Sequence, residues 1–207
     1  MRQRRVTMGY SPDELAASNE PYRIIYPLLL AIPVCLLGNL ALMSVLAPIG
    51  EEYSFLSISN FFYGFLSNVC HQYPTRCLWI LNRPMGLCSR CFSVYASFSI
   101  CLLLLPLVRN RKLIILTTLL FIPLVADGLL QYANLEASDN LGRVLTGVLF
   151  GAGASVIYKR SALTLLHGLR RTTEGSTVHH FHGNLDFAFS SGILLLTIFY
   201  SVVVYIV

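Results

Sequence analysis

Residues 24–47 contain no Asp, Glu, Lys, Arg or His. A helix of that length reaches about 36 Å, enough to cross about 30 Å of hydrocarbon. Three further stretches, 86–108, 113–133 and 187–207, are also long and mostly apolar. A fifth, 141–158, is shorter and is bounded by Lys159-Arg160. Across all 207 residues, 55% are hydrophobic and only 12% are charged, with a mean hydropathy of +0.65. Soluble domains carry about 25% charged residues, so this chain lacks the charge for a water-facing surface. Intrinsic disorder is excluded by the same numbers, because it requires low hydrophobicity and high net charge.

The expected fold is therefore all-α: a polytopic integral membrane helix bundle of five transmembrane helices plus one interfacial or re-entrant helix at 52–69. In that last segment Phe55, Ile58, Phe62, Leu66 and Val69 recur at helical spacing. Tyr53, Phe55, Phe61, Phe62, Tyr63 and Phe65 form an aromatic belt suited to a membrane interface. A sixth crossing there would put Arg109, Arg111 and Lys112 on the outer side, against the usual charge rule.

Basic residues collect on the cytoplasmic side of membranes. With the N-terminus inside and five crossings, eleven of the fifteen Lys and Arg residues fall inside, and Arg76, Arg83, Arg90 and Arg143 remain outside. The expected organisation is a cytoplasmic N-terminal segment 1–23, a membrane core 24–158 with four spans and an outer loop 48–85, a cytoplasmic loop 159–186, and a fifth span 187–207. No cleavable signal peptide is expected, because a polar stretch follows Arg2, Arg4 and Arg5 and the first apolar run is too long. The expected location is the plasma (inner) membrane, multi-pass, with an extracytoplasmic C-terminus. The partners are the lipid bilayer and a membrane-protein partner as a candidate. The net charge of +5 reads as a topology and anionic-lipid signal, and no nucleic acid is expected.

Ionisable groups in hydrocarbon are costly, so each is a candidate functional residue. Asp127 and Gln131 share a helix face on the third span, about 9 Å of rise or less below its outer end, and Asn134 extends that stripe. Asn140 and Arg143 share a face at the start of the fourth. Gly147 and Gly151 continue the Arg143 stripe, where small residues let another helix approach. Asp127 and Arg143 are read either as an interhelical ion pair or as the flanks of a polar cavity.

Cys70, Cys77, Cys88 and Cys91, with His71, fall within 22 residues on the expected outer face. Cys88 and Cys91 sit three apart at an expected helix N-terminus, where the dipole favours a thiolate. Three readings stay open: a static disulfide staple, a zinc site of Cys and His ligands, and thiol–disulfide redox chemistry. Cys35 and Cys101 lie mid-span as small core residues. His179, His180 and His182, with His167 nearby, form a histidine-rich tract that reads as a solvated loop more readily than as a metal site.

Taken together, these residues resemble a family of small bacterial and archaeal membrane proteins classed as a domain of unknown function. The resemblance covers about residues 65–155 and is carried by residues in a fixed order. They are Cys70-His71-Gln72, Pro74 and Arg76; Cys88-x-Arg90-Cys91 and Tyr95; Pro123, Asp127-Gly128 and Gln131; then Ser138, Asn140, Arg143 and Thr146-Gly147. Cys77 stands where the family commonly has Ser, and Phe92-Ser93 where it commonly has Thr-Gly. The resemblance thus implies a core of Cys70, His71, Cys88 and Cys91, without naming its chemistry.

The expected site has Cys70, His71, Cys88 and Cys91 as metal ligands, with zinc the candidate metal. Asp127, Gln131 and Arg143 are the candidate catalytic residues. Arg76, Arg90 and Asn140 would orient an anionic phosphate or carboxylate group. Two competing readings are an accessory subunit of a membrane complex, with the cysteines as a staple, and a transporter of a small solute or lipid. Transport is disfavoured because no inverted repeat is visible.

Overall fold

A computed structural model describes residues 20–106, 117–133 and 139–173. The expected fifth span 187–207, the histidines at 179, 180 and 182, Asn134, Ser138, the start of the expected third span and most of the N-terminal segment lie outside the described residues.

The first helix, α1, runs Glu20–Glu52 and contains Pro27, Pro33 and Pro48. It covers the expected first span and extends one turn beyond it. Pro33 has no N–H to give to the carbonyl of Leu29, four residues earlier. Tyr158 supplies the missing donor, its hydroxyl donating to the Leu29 carbonyl at 2.8 Å. Leu28, Ile32, Leu36 and Leu42 are exposed along this helix. At its end, Arg83 pairs with Glu51 and, at 3.5 Å, with Glu52.

A short helix, α2, follows at Leu56–Leu66. Its inward side holds buried Ser59 and Leu66, while Phe55, Leu56, Ile58, Phe61 and Phe65 are exposed. Leu66 is thus buried where Phe55 and Ile58, which spacing groups with it, are exposed: the inward face centres on Ser59 and Leu66, with Ile58 at its edge. Ser59 faces inward because its hydroxyl donates to the Ala47 carbonyl at 2.8 Å.

The all-α expectation needs correction. Strands β1 (Cys77–Ile80) and β2 (Arg83–Cys88) form an antiparallel hairpin. Ile80 pairs with Arg83, so Leu81 and Asn82 alone make the turn, both with positive φ (52° and 60°). Two successive left-handed residues give the turn whose twist matches a hairpin, a place usually held by Asn-Gly. Leu81 in that conformation hides the turn from a sequence reading.

The expected second span therefore starts as strand, and its helix, α3, occupies only Ser89–Leu104. Leu105 is extended because Pro106 disfavours the helical region for the residue before it. The expected third span is represented by a 3-10 turn at Leu119–Phe121 and helix α4, Ile122–Tyr132, with Pro123 in its first turn. Helix α5 runs Asn140–Thr173 and does not stop at Lys159-Arg160, so 159–173 is helical rather than loop. Lys159 is buried and donates to the Leu105 carbonyl, placing a cation at the C-terminus of α3.

Helix α3 lies directly on α5. A Cβ at Gly147 would come within 2.0 Å of Ser93 Oγ and 2.9 Å of the Arg90 carbonyl oxygen; one at Gly151 would meet the Val94 carbonyl oxygen at 2.6 Å. The glycine stripe does what its spacing predicts, and Ser93 and Ser97 are its small partners across the contact. Cys35 is exposed, not a core residue. Among the described residues, α1 and α5 are long and apolar enough to cross a membrane.

Candidate functional site

The hairpin, the start of α3 and the chain after α2 converge on three sulfurs. The Sγ atoms of Cys70, Cys88 and Cys91 all lie within 4.8 Å of one another, and all three residues are buried. Cys88 caps α3 from an extended conformation, its sulfur accepting the Cys91 N–H at 3.5 Å. Cys70 Sγ accepts the Cys88 N–H at 3.3 Å. The thiols of Cys88 and Cys91 also donate to Cys70, and with the backbone N–H groups of Cys88 and Gln72 they hold its thiol well below the ordinary 9.0. Hydrogen bonds to a charged form favour that form, so these donors favour the thiolate of Cys70 over its thiol. All six cysteines are unbridged.

Cys77 is fully buried and is the strand partner of Cys88, yet its sulfur lies outside the three-sulfur group. Burial, with the charges of Cys88 and Cys70, pushes its thiol up to about 12, so it is the neutral thiol beside the triad.

His71 is brought next to the site but not into it. It is exposed, its ring stacks on Tyr73 at 5.9 Å and 1°, and it does not join the three-sulfur group. Adjacent residues project differently, and Cys70 takes the inward direction. The Arg76 guanidinium also lies over the Tyr73 ring, 5.1 Å from its centroid.

The polar residues assemble around the α3 start. Arg90, 5% exposed in its side chain, pairs with Asp127 and donates to Gln131 Oε1 at 3.2 Å. The Asp127–Gln131 stripe of α4 thus faces Arg90, where the sequence suggested Arg143 as the ion partner. Arg143 is buried and donates to Asn140 Oδ1 at 3.2 Å, and Asn140 Nδ2 donates to the Cys77 carbonyl at 3.1 Å. Asn140 therefore joins the start of α5 to the hairpin. Arg76 is half-buried, and Ser89 donates to its carbonyl at 2.9 Å.

Two positioning residues escape a sequence reading. Gln72, with φ 53°, donates to the carbonyls of Tyr63 and Gly86, both at 2.9 Å. Tyr63 in turn donates to the Pro84 carbonyl at 2.7 Å. These bonds tie α2 to the hairpin and fix the approach of Cys70 to Cys88. The adjacency of Gln72 to Cys70-His71 was the available signal.

A family model described as "Predicted membrane protein (DUF2085)" matches residues 70–157, a segment that opens on Cys70 and contains all the site residues above except Tyr63. An uncharacterized protein of Methanocaldococcus jannaschii is 31% identical over 121 residues, 54% of this chain and 74% of that one. An uncharacterized protein of Methanothermobacter thermautotrophicus is 29% identical over 102 residues, 48% of this chain and 92% of that one. No solved structure matches. With three-quarters of an archaeal relative covered at this identity, the chain belongs to the DUF2085 family of predicted membrane proteins.

Proposed function

We propose that this protein is a multi-pass protein of the plasma (inner) membrane that holds a zinc ion on Cys70, Cys88 and Cys91 at its extracytoplasmic face. The topology drawn from charge distribution, five spans with a cytoplasmic N-terminus, is part of the proposal. Its support is the match to a membrane-protein family and the long apolar helices.

The observation that carries the metal reading is the convergence of three buried sulfurs from two chain segments. Four ligands at about 2.3 Å around zinc place sulfurs about 3.8 Å apart, a separation compatible with this cluster. Backbone N–H groups already point at two of the sulfurs, an arrangement that stabilises ligated thiolates. Three protein ligands leave a fourth position, as in zinc sites that bind water or substrate. Asp127, Gln131 and Arg143 are the side chains proposed to act on what binds there.

Metal analysis of the purified full chain in detergent tests this. One zinc per chain is expected, lost in a Cys88→Ser/Cys91→Ser variant and retained in Cys77→Ser and His71→Ala. Equal and negligible zinc in the wild type and the double variant would remove the reading. A thiol-redox reading draws on Cys88 capping α3 one turn from Cys91. It requires a Cys88–Cys91 disulfide that mild reductant opens without unfolding the protein.

A further inference from the structure

We infer that the outward stripe of α1 is a helix-docking seam whose occupant is α1 of a second copy of this chain, joined at Asn39. This requires α1 to cross the bilayer, as proposed for it, and requires nothing of the metal site.

Leu28, Ile32, Cys35, Asn39, Leu42 and Leu46 are all exposed, and they recur at alternating steps of four and three residues. That is a mean period of about 3.5, the pattern by which two helices wrap around each other. Ala41, Ser44, Ala47 and Pro48 of the same stretch are buried, and Gly38 lies against Ser99. The protein therefore packs on one side of α1 and leaves the seam bare.

Asn39 is the one strongly polar member of that seam. It lies about 12 Å of rise below Ala47, within hydrocarbon depth for a helix whose apolar run begins at Ile24. It is exposed, and its amide makes no hydrogen bond among the described residues. Acyl chains offer neither donor nor acceptor. Asn side chains in membrane helices bond across to a neighbouring helix.

Complementarity names the neighbour. An amide carries both donors and an acceptor, so a second amide at the same depth satisfies it. Two copies of one chain share one membrane topology. A two-fold axis relating them stands along the membrane normal, and their α1 helices run parallel. Each seam residue then meets its own counterpart, with Nδ2 of one Asn39 donating to Oδ1 of the other. Residues 24–47 hold no ionisable side chain, so this approach opposes no like charges. A single Asn in an apolar seam also fixes the register and number of helices.

The test uses the full chain. Retention in the membrane pellet after alkaline carbonate checks the membrane reading by itself. Sedimentation equilibrium in density-matched detergent should show a monomer–dimer equilibrium, weakened at least about tenfold by Asn39→Leu. Asn39→Gln, which keeps the amide, and Leu104→Ala, which trims an exposed side chain on α3, should each weaken it less than about threefold. In membranes, copper–phenanthroline oxidation should link two chains through Cys35, mapped by peptide mass, and Cys35→Ser should abolish the link. A chain retained in the pellet that forms no Cys35 link overturns the inference. So does a dimer that Asn39→Leu leaves as tight as the wild type, or association with a different protein in place of a second copy. Release by carbonate overturns the membrane reading and this one together.

Discussion

Asp127 on α4 receives the guanidinium of Arg90 at the start of α3, 37 residues earlier in the chain. Both side chains are largely buried, at 12% and 5% exposure. The pair joins the helix that begins at the thiol site to the helix whose polar stripe faces it. Removing one member of a buried pair leaves the other charge without compensation and costs about 3–5 kcal/mol. Asp127→Asn should therefore destabilise the protein by about that amount in a denaturant or thermal assay in detergent. Gln131→Ala, which removes only a 3.2 Å accessory bond, should cost about 1 kcal/mol. If Asp127→Asn proves no worse than Gln131→Ala, the pair is not what joins these helices.

The contact between α3 and α5 has no space for a methyl group. Gly151→Ala sets a Cβ 2.6 Å from the Val94 carbonyl oxygen and 2.9 Å from Phe98 N, both backbone atoms that cannot rotate away. Overpacking of this kind costs about 1–3 kcal/mol, and the upper end is expected here. At both glycines the nearest atom is a serine hydroxyl, Ser93 at 2.0 Å from Gly147 and Ser97 at 2.1 Å from Gly151, but the nearest backbone atom is 2.9 Å away at Gly147 and 2.6 Å away at Gly151. Ser93→Ala should therefore relieve more of a Gly147→Ala loss than Ser97→Ala relieves of a Gly151→Ala loss. Melting temperatures of the two single and two double variants make the comparison.

Tyr158 and Pro33 should show a measurable coupling. Tyr158→Phe leaves the half-buried Leu29 carbonyl without its 2.8 Å donor, at a cost of about 1 kcal/mol. Pro33→Ala returns a backbone N–H to that carbonyl. In the Pro33→Ala background, Tyr158→Phe should be closer to neutral, and a double-mutant cycle reads the difference. Additivity of the two changes would show that the hydroxyl is not substituting for the lost backbone bond.

Alkaline pH should loosen the attachment of α2 to the hairpin. Burial first, and then the charge of Glu51, push the Tyr63 phenol from 10.0 up to about 12, while its hydroxyl donates to Pro84. The unfolded chain releases this proton first, so the stabilising contribution is complete below pH 10 and is lost as pH rises from 10 to about 12. Tyr63→Phe should show a flatter decline over that interval and a loss of about 1 kcal/mol at neutral pH. Denaturant midpoints measured across the interval would test both statements, and identical slopes in the two proteins would contradict the first.

Much of this protein was legible in the chain because it depends on local pattern. An apolar run without charges must become a helix long enough to cross hydrocarbon, as 24–47 did within α1. Glycines four apart beside Arg143 must sit on one helix face, and α3 uses that face. Three of the four expected ligands meet because Cys88 and Cys91 are one helical turn apart and Cys70 lies upstream at loop distance. What tertiary structure decided was the choice among chemically equivalent partners. Either Arg90 or Arg143 could have answered Asp127, and the approach of α3 to α4 selected Arg90. Adjacent Cys70 and His71 could not both turn inward, and the hydrogen bonds of Gln72 selected the thiol. The hairpin stayed hidden because Leu81 adopts a left-handed turn that only the surrounding packing can impose. Chain pattern sets which groups can be buried, but three-dimensional packing sets which of them meet.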